Sequence, residues 1–148
     1  MANREIRSRF IREMSRLLVP LGVPQTAARL YGYLLLSESP VSLDQIAAEL
    51  DISKSTASVA ARLLEMYNLA RRSGQRRTRR VLFEASDDYD GMINAQMRSL
   101  EQLAGLIREG SRHAQNKKTR QRLKTMAEFY LLTRTAMEAA QREWSSRK

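Results

Sequence analysis

Residues 41–85 read VSLDQIAAELDISKSTASVAARLLEMYNLARRSGQRRTRRVLFEA. The first two thirds fit two short helices joined by a tight turn, and the remainder fits a small β-hairpin. Ser42 is a good N-cap, and Gln45 three residues on completes a capping box. Leu43, Ile46, Ala47 and Leu50 recur at helical spacing and so face inward. Small Ala47 and Ala48 would let a second helix cross closely. Asp51-Ile52 supplies the turn, with Ile52 plugging the corner, and Ser53 caps the second helix. Val59, Leu63 and Leu64, with Met66 or Tyr67, are predicted to form its buried side.

The second helix opens on Ser53, Lys54, Ser55, Thr56 and Ser58, with Arg62 further along. Serine and threonine at a helix start ordinarily cap it. Four hydroxyls within six residues nevertheless lower helix propensity, which suggests a face kept polar for a surface it must touch. Asn68 can take the left-handed conformation that closes a helix. Leu69–Ser73 is then predicted as one strand, Gly74-Gln75 as the start of a turn, and Thr78–Ala85 as the second strand with Val81 and Phe83 on one face. Between Met66 and Phe83 stand six arginines, Arg71, Arg72, Arg76, Arg77, Arg79 and Arg80, and no acidic residue. A charge run is usually a solvated face, but an unrelieved run repels itself and is better explained by an anionic partner. A helix-turn-helix followed by such a hairpin points to double-stranded DNA. The hydroxyls, Lys54 and Arg62 would face the major groove, and Arg72, Arg76, Arg77 and Arg79 would grip phosphates or enter the minor groove.

The order of elements resembles the MarR superfamily of winged-helix regulators. The stretch from Tyr31 to Ser37, YGYLLLS, the Ser53-Lys54 start of the second helix, and Arg62 with Glu65 near its end are similar to the GbsR-like branch. The similarity covers about residues 20–85. Two positions depart from it: Asn68 stands where a glycine is usual, and the wing has Gln75-Arg76-Arg77 where members often pair an aspartate with arginine. The resemblance implies a mainly α, winged helix-turn-helix fold and a homodimeric, DNA-binding transcriptional regulator. It also implies that an effector such as choline or a related quaternary ammonium is sensed by some members. Such a ligand needs an aromatic cage. Tyr31, Tyr33, Tyr67, Tyr89, Phe129, Tyr130 and Trp144 are few for that purpose, so the effector stays unidentified.

Composition agrees. The 148 residues suit one small domain with helical extensions, 43% are hydrophobic, the formal net charge is +10, and the pI is about 10.6, as expected of a nucleic-acid binder. There is no cysteine, hence no disulfide framework or thiolate chemistry. No apolar run is long enough to cross a bilayer and no signal-peptide pattern opens the chain, so a cytoplasmic protein without a membrane partner is expected; that it is prokaryotic is what the resemblance implies. Catalysis finds little support. His113 is the only histidine, no Cys/His cluster has metal-ligand spacing, and Asp87, Asp88 and Asp90 read as a cap and a first helical turn. No cofactor is expected.

The flanks read as dimerisation elements. Residues 3–18 place Ile6, Phe10, Met14, Leu17 and Leu18 on one helical side. Pro20 and Pro24 then precede a helix from Gln25 to Ser37. After the hairpin, Ile93, Met97, Leu100, Ala104 and Ile107 alternate spacings of four and three. A helix break is predicted at Gly110–Asn116. Leu123, Tyr130, Met137 and Trp144 then fall seven apart, with Met126, Thr133 and Ala140 as a second seam. Phe10, Met14, Leu17, Leu123, Tyr130, Met137 and Trp144 are the expected interface, which assigns 1–22 and 86–148 to dimerisation and 23–85 to the DNA-binding domain. A twofold dimer implies an inverted-repeat operator. The basic segment 112–124 is open to three readings: solvated surface, further phosphate contacts, or an anionic effector or membrane surface. Two other functions stay open: a winged helix used for protein interaction, and an architectural protein binding DNA without sequence preference.

Overall fold

Pro20 and Pro24 separate the first two helices, and the chain bends where they stand. Helix α1 (Ala2–Leu18) runs into a short 3-10 turn, Val19–Leu21, and helix α2 (Gln25–Leu36) starts behind Pro24. The computed structural model describes residues 2–74 and 80–147. Two compact units result, Met1–Asp88 and Tyr89–Lys148.

In the first unit α1 lies along α2. Gly32 makes this approach possible: a Cβ there would sit 3.2 Å from the Ile11 Cα and 3.4 Å from the Met14 Cβ. Phe10 and Met14 are half-buried in this unit, while Leu17 is 58% exposed. The Arg7 guanidinium lies 5.4 Å above the Tyr33 ring. The YGYLLLS string therefore has a local physical basis. Its glycine admits α1, and Tyr33 and Leu34 enter the core. Ser37 ends the helix, its hydroxyl donating to the Tyr33 carbonyl at 2.7 Å.

Strand β1 (Val41–Ser42) leads directly into helix α3 (Leu43–Leu50). Ser42 caps α3 as expected. Its Oγ accepts from the Gln45 N–H at 3.2 Å, and its own N–H donates to the Gln45 side chain at 2.8 Å. Helix α4 (Lys54–Met66) follows, and its N-cap Ser53 accepts from the Thr56 N–H at 3.0 Å. Three helix ends close alike, through a residue at positive φ: Gly22 (98°), Asp51 (54°) and Asn68 (60°). At each, the next N–H reaches five residues back, as in Leu69 to the Leu64 carbonyl at 2.8 Å and Ile52 to that of Ala47 at 3.0 Å. Asn68 suits this closure, since Asn tolerates the left-handed region better than most residues.

Strands β2 (Ala70–Gly74) and β3 (Val81–Ala85) form the wing, in the register Ala70↔Ala85 to Gly74↔Val81. The sheet has a third strand that the sequence did not suggest. β1 pairs with β3 through Val41↔Phe83 and Ser42↔Leu82, giving the order β1-β3-β2. Two residues carry no readable periodicity. The second wing strand starts at Val81, and Gln75, Arg76, Arg77, Thr78 and Arg79 lie outside the described residues. Leu30, Tyr33, Leu34, Ile46, Leu64 and Phe83 form the centre of the core.

The side of α4 that faces this core differs from expectation. Ala57, Ala60, Ala61 and Leu64 are buried, whereas Val59 is 67% exposed and Met66 75%. Ala48 is exposed as well. Close crossing is therefore supplied by the alanines of α4 instead, and their small volume leaves no room for the larger side chains on that face.

The second unit is an antiparallel pair, helix α5 (Tyr89–His113) and helix α6 (Lys117–Ser146). α5 continues through Gly110 to His113, so the break is shorter than expected. Asn116 caps α6, accepting from Lys118 and Thr119 N–H groups at 2.8 and 3.2 Å. Met97, Ala104 and Ser111 of α5 and Ala127 of α6 are buried. Arg134 joins Glu101 to Glu138, Gln141 donates to Asn94 at 2.8 Å, and Tyr89 meets Trp144 edge-on with ring centroids 5.5 Å apart. Leu123, Tyr130 and Met137, half-buried, lie on this same side. The most exposed large apolar residues of this unit are Leu106 at 68% on α5, and Phe129 at 63% and Leu132 at 69% on α6, while Trp144 is 41% exposed.

Removing the Ser42 hydroxyl strips the cap from α3 where the residue is only 2% exposed. Ser42→Ala should lower stability by about 1–2 kcal/mol. Urea denaturation is the check, with an unchanged slope and a lower midpoint expected.

Candidate nucleic-acid interface

Helix α4 presents its first turns to solvent because Ser53 leaves the chain extended (φ −71°, ψ 156°) immediately before Lys54. Its hydroxyls are not idle. The Ser53 Oγ, besides accepting from Thr56 N–H, donates to Thr56 Oγ1 at 2.7 Å and lies 3.2 Å from Ser55 Oγ. The Lys54 ammonium lies 3.3 Å from the Asp44 carboxylate of α3. Arg62 donates to Ser58 Oγ at 3.1 Å. The Glu65 side chain, one turn further along α4, accepts from Arg72. The outward face of α4 is therefore Ser55, Val59, Arg62 and Met66, at spacings of four, three and four, with Thr56 beside them. Thr56 and Val59 also line a shallow groove of about 380 Å³, with Pro24 of the α2 entry on its other wall. Val59 was missed from sequence because a β-branched apolar residue in a helix reads as core.

Of the wing arginines, Arg71, Arg72 and Arg80 are described. On β2, Arg71 donates to Glu84 at 2.7 Å and to Asp87 at 2.6 Å. The hydrogen bond to Glu84 first, and the Asp87 charge second, hold its guanidinium above its ordinary pKa. Arg72 donates to both Glu65 oxygens at 3.0 and 3.1 Å, and its guanidinium lies 5.5 Å over the Phe83 ring. The acids that answer this acid-free run thus come from α4, β3 and the segment after β3. Arg80 is exposed. Arg76, Arg77 and Arg79 fall outside the described residues.

His113 is exposed. Among the described residues no three His, Cys, Asp or Glu side chains come together as a metal site, and no helix is long and apolar enough to cross a membrane. Four of the seven aromatic residues considered for a cage pair off with one another. Tyr33 is core, Tyr89 is against Trp144, and Phe129 is against Tyr130 at 5.7 Å. The basic residues of 112–124 are exposed, and Arg120 donates back to the Ala114 carbonyl at 3.0 Å. Beside them, an open depression of about 1170 Å³ on α6 has Met126, Phe129 and Tyr130 as its apolar part and Lys117, Lys118 and Arg122 as its basic part.

No protein-family model and no curated protein matches the chain. Among solved structures, a crystal structure of a transcriptional regulator superposes with a TM-score of 0.85 at 21% identity, over 95% of this chain and 98% of that one. At that identity the likeness is one of fold, and it extends over both units. Transcriptional regulator Tm0710 from Thermotoga maritima aligns with a TM-score of 0.46 at 15% identity, over 93% of this chain and 94% of that one.

Both partners of the Arg72–Glu65 pair reach solvent, with side chains 51% and 26% exposed. Glu65→Gln should therefore cost less than about 1 kcal/mol. Arg72→Ala should cost more, because it also uncovers Phe83. Thermal melts of the two single variants and the double variant give the coupling directly.

Proposed function

We propose that this chain is a sequence-specific, double-stranded-DNA-binding transcriptional regulator acting as a homodimer, of the MarR-superfamily winged-helix kind and nearest its GbsR-like branch. The observation that carries the reading is the placement of α4. Its alanine face is fixed against the core while Ser55, Thr56, Val59 and Arg62 stand in solvent, as a helix that enters a major groove requires. Ser53, Lys54 and Ser58 would support that face or reach neighbouring phosphates. The wing would add phosphate contacts through Arg76, Arg77 and Arg79. Arg72, held by Glu65, would serve as a positioned contact at the base of the wing. The net charge of +10 favours the same partner. In this reading the protein works in the prokaryotic cytoplasm, uses no cofactor and does no catalysis, and an effector is left unassigned.

The dimer would be built from the terminal segments, 1–22 and 86–148, around the DNA-binding segment 23–85. Phe10, Met14 and Leu17 on α1, and Leu123, Tyr130, Met137 and Trp144 on α6, are the side chains proposed to contribute. Phe129 and Leu132, exposed on α6, are natural additions. Two copies would set two α4 helices about 34 Å apart, one turn of the duplex, and the operator would be an inverted repeat.

The competing function is architectural binding without sequence preference, and selection from random duplexes separates the two. A regulator returns an inverted repeat with half-site centres about ten base pairs apart, bound at least about a thousandfold more tightly than random duplex. An architectural protein returns no consensus. Sedimentation should show a dimer at micromolar concentration, and Phe129→Glu with Leu132→Glu should yield a folded monomer that loses specific binding.

The wing contributes affinity independent of sequence. Arg76→Ala with Arg77→Ala should weaken binding to every duplex and flatten the log–log dependence on salt by about 1 to 2. An unchanged slope in a folded variant would count against the wing as a phosphate arm.

A further inference from the structure

We infer that α4 reads a thymine by its 5-methyl group and that Val59 is the residue that makes the contact. This rests on the proposal that α4 lies in a major groove. It goes further by naming what is read there and by what chemistry.

The polar groups along the start of α4 already bond within the fold. Thr56 Oγ1 and Ser55 Oγ share the Ser53 hydroxyl, Lys54 faces Asp44, and Arg62 is bonded to Ser58. They keep spare donors and lone pairs for polar base edges. Val59 offers an apolar contact instead. It stands at the middle of the outward face, between Ser55 and Arg62, and is 67% exposed. An isolated exposed valine is ordinary, but this one is not isolated, because it shares a groove wall with Thr56 and Leu63. A small apolar spot ringed by hydroxyls and a guanidinium matches one feature of the major groove. The thymine methyl is the only apolar group there, and it distinguishes T·A from every other pair. Valine also forms helix less well than alanine, so its presence at a position that covers no core has no local structural explanation.

The test uses the full-length protein and the site obtained by selection from random duplexes. Each thymine is replaced in turn by uracil, which keeps every hydrogen-bonding edge and lacks only the methyl. Burial of one methyl is worth roughly a fourfold change in Kd. The wild-type protein should lose about that much at one thymine in each half-site, whereas Val59→Ala should bind the thymine and uracil duplexes equally. The variant should melt no lower than the wild type, since alanine is the better helix former. Wild-type indifference to uracil at every position would overturn the proposal. So would a Val59→Ala variant that keeps the wild-type uracil penalty, or one that melts several degrees lower and so returns Val59 to the core. In all three cases the selected site would still stand, and with it the reading of the chain as a regulator. A selection that returns no preferred sequence would overturn both.

Discussion

Ser42 is where the sheet and the helix-turn-helix become one object. It belongs to β1, opposite Leu82, and in the same position caps α3. A serine with 2% of its surface exposed must satisfy its polar groups internally, and the capping box with Gln45 does so. The neighbouring Val41 lies opposite Phe83 on β3, and Phe83 carries the Arg72 guanidinium. The wing is thus fastened to the front of α3 by a dipeptide. It is fastened to the rear of α4 by the Asn68 turn and by Arg72 to Glu65. Without Val41-Ser42 the hairpin would be a two-stranded ribbon, which is marginal alone.

The arginines of the wing are not a uniform cloud of charge. Those on β2 are answered by Glu65, Glu84 and Asp87, which makes the base of the wing close to neutral and holds its guanidiniums in place. Exposed pairs of this kind contribute little to stability, so their value lies in geometry. Arg80, ahead of β3, is exposed.

Features governed by local chemistry were legible in the sequence. The caps at Ser42 and Ser53, the turn at Asp51-Ile52 and the left-handed closure at Asn68 depend on residues within a few positions of one another, and they appear where the residue types put them. What the sequence did not disclose depends on partners distant along the chain. The pairing of β1 with β3 spans about forty residues, and Arg71 meets acids thirteen and sixteen residues away. Val59 was misplaced because hydropathy says what a side chain prefers and not which face the neighbouring alanines have already claimed. In α6 the seven-residue spacing was read as an intersubunit seam. Contacts such as Trp144 with Tyr89 show that side of α6 meeting α5 of the same hairpin, and Phe129 and Leu132 stand outside that seam.

The alanine face of α4 has a consequence for how such a protein changes over evolutionary time. Ala57, Ala60 and Ala61 set the helix by close backbone approach, with Leu64 the one large buried side chain of α4. Exposed positions on the other side contribute little to folding free energy. Substitutions at Ser55, Val59, Arg62 and Met66 can accumulate with the scaffold intact, and the four inward positions cannot follow them. Variation and foldability are thereby assigned to opposite sides of a single helix, which lets its outward surface change without passing through unfolded intermediates.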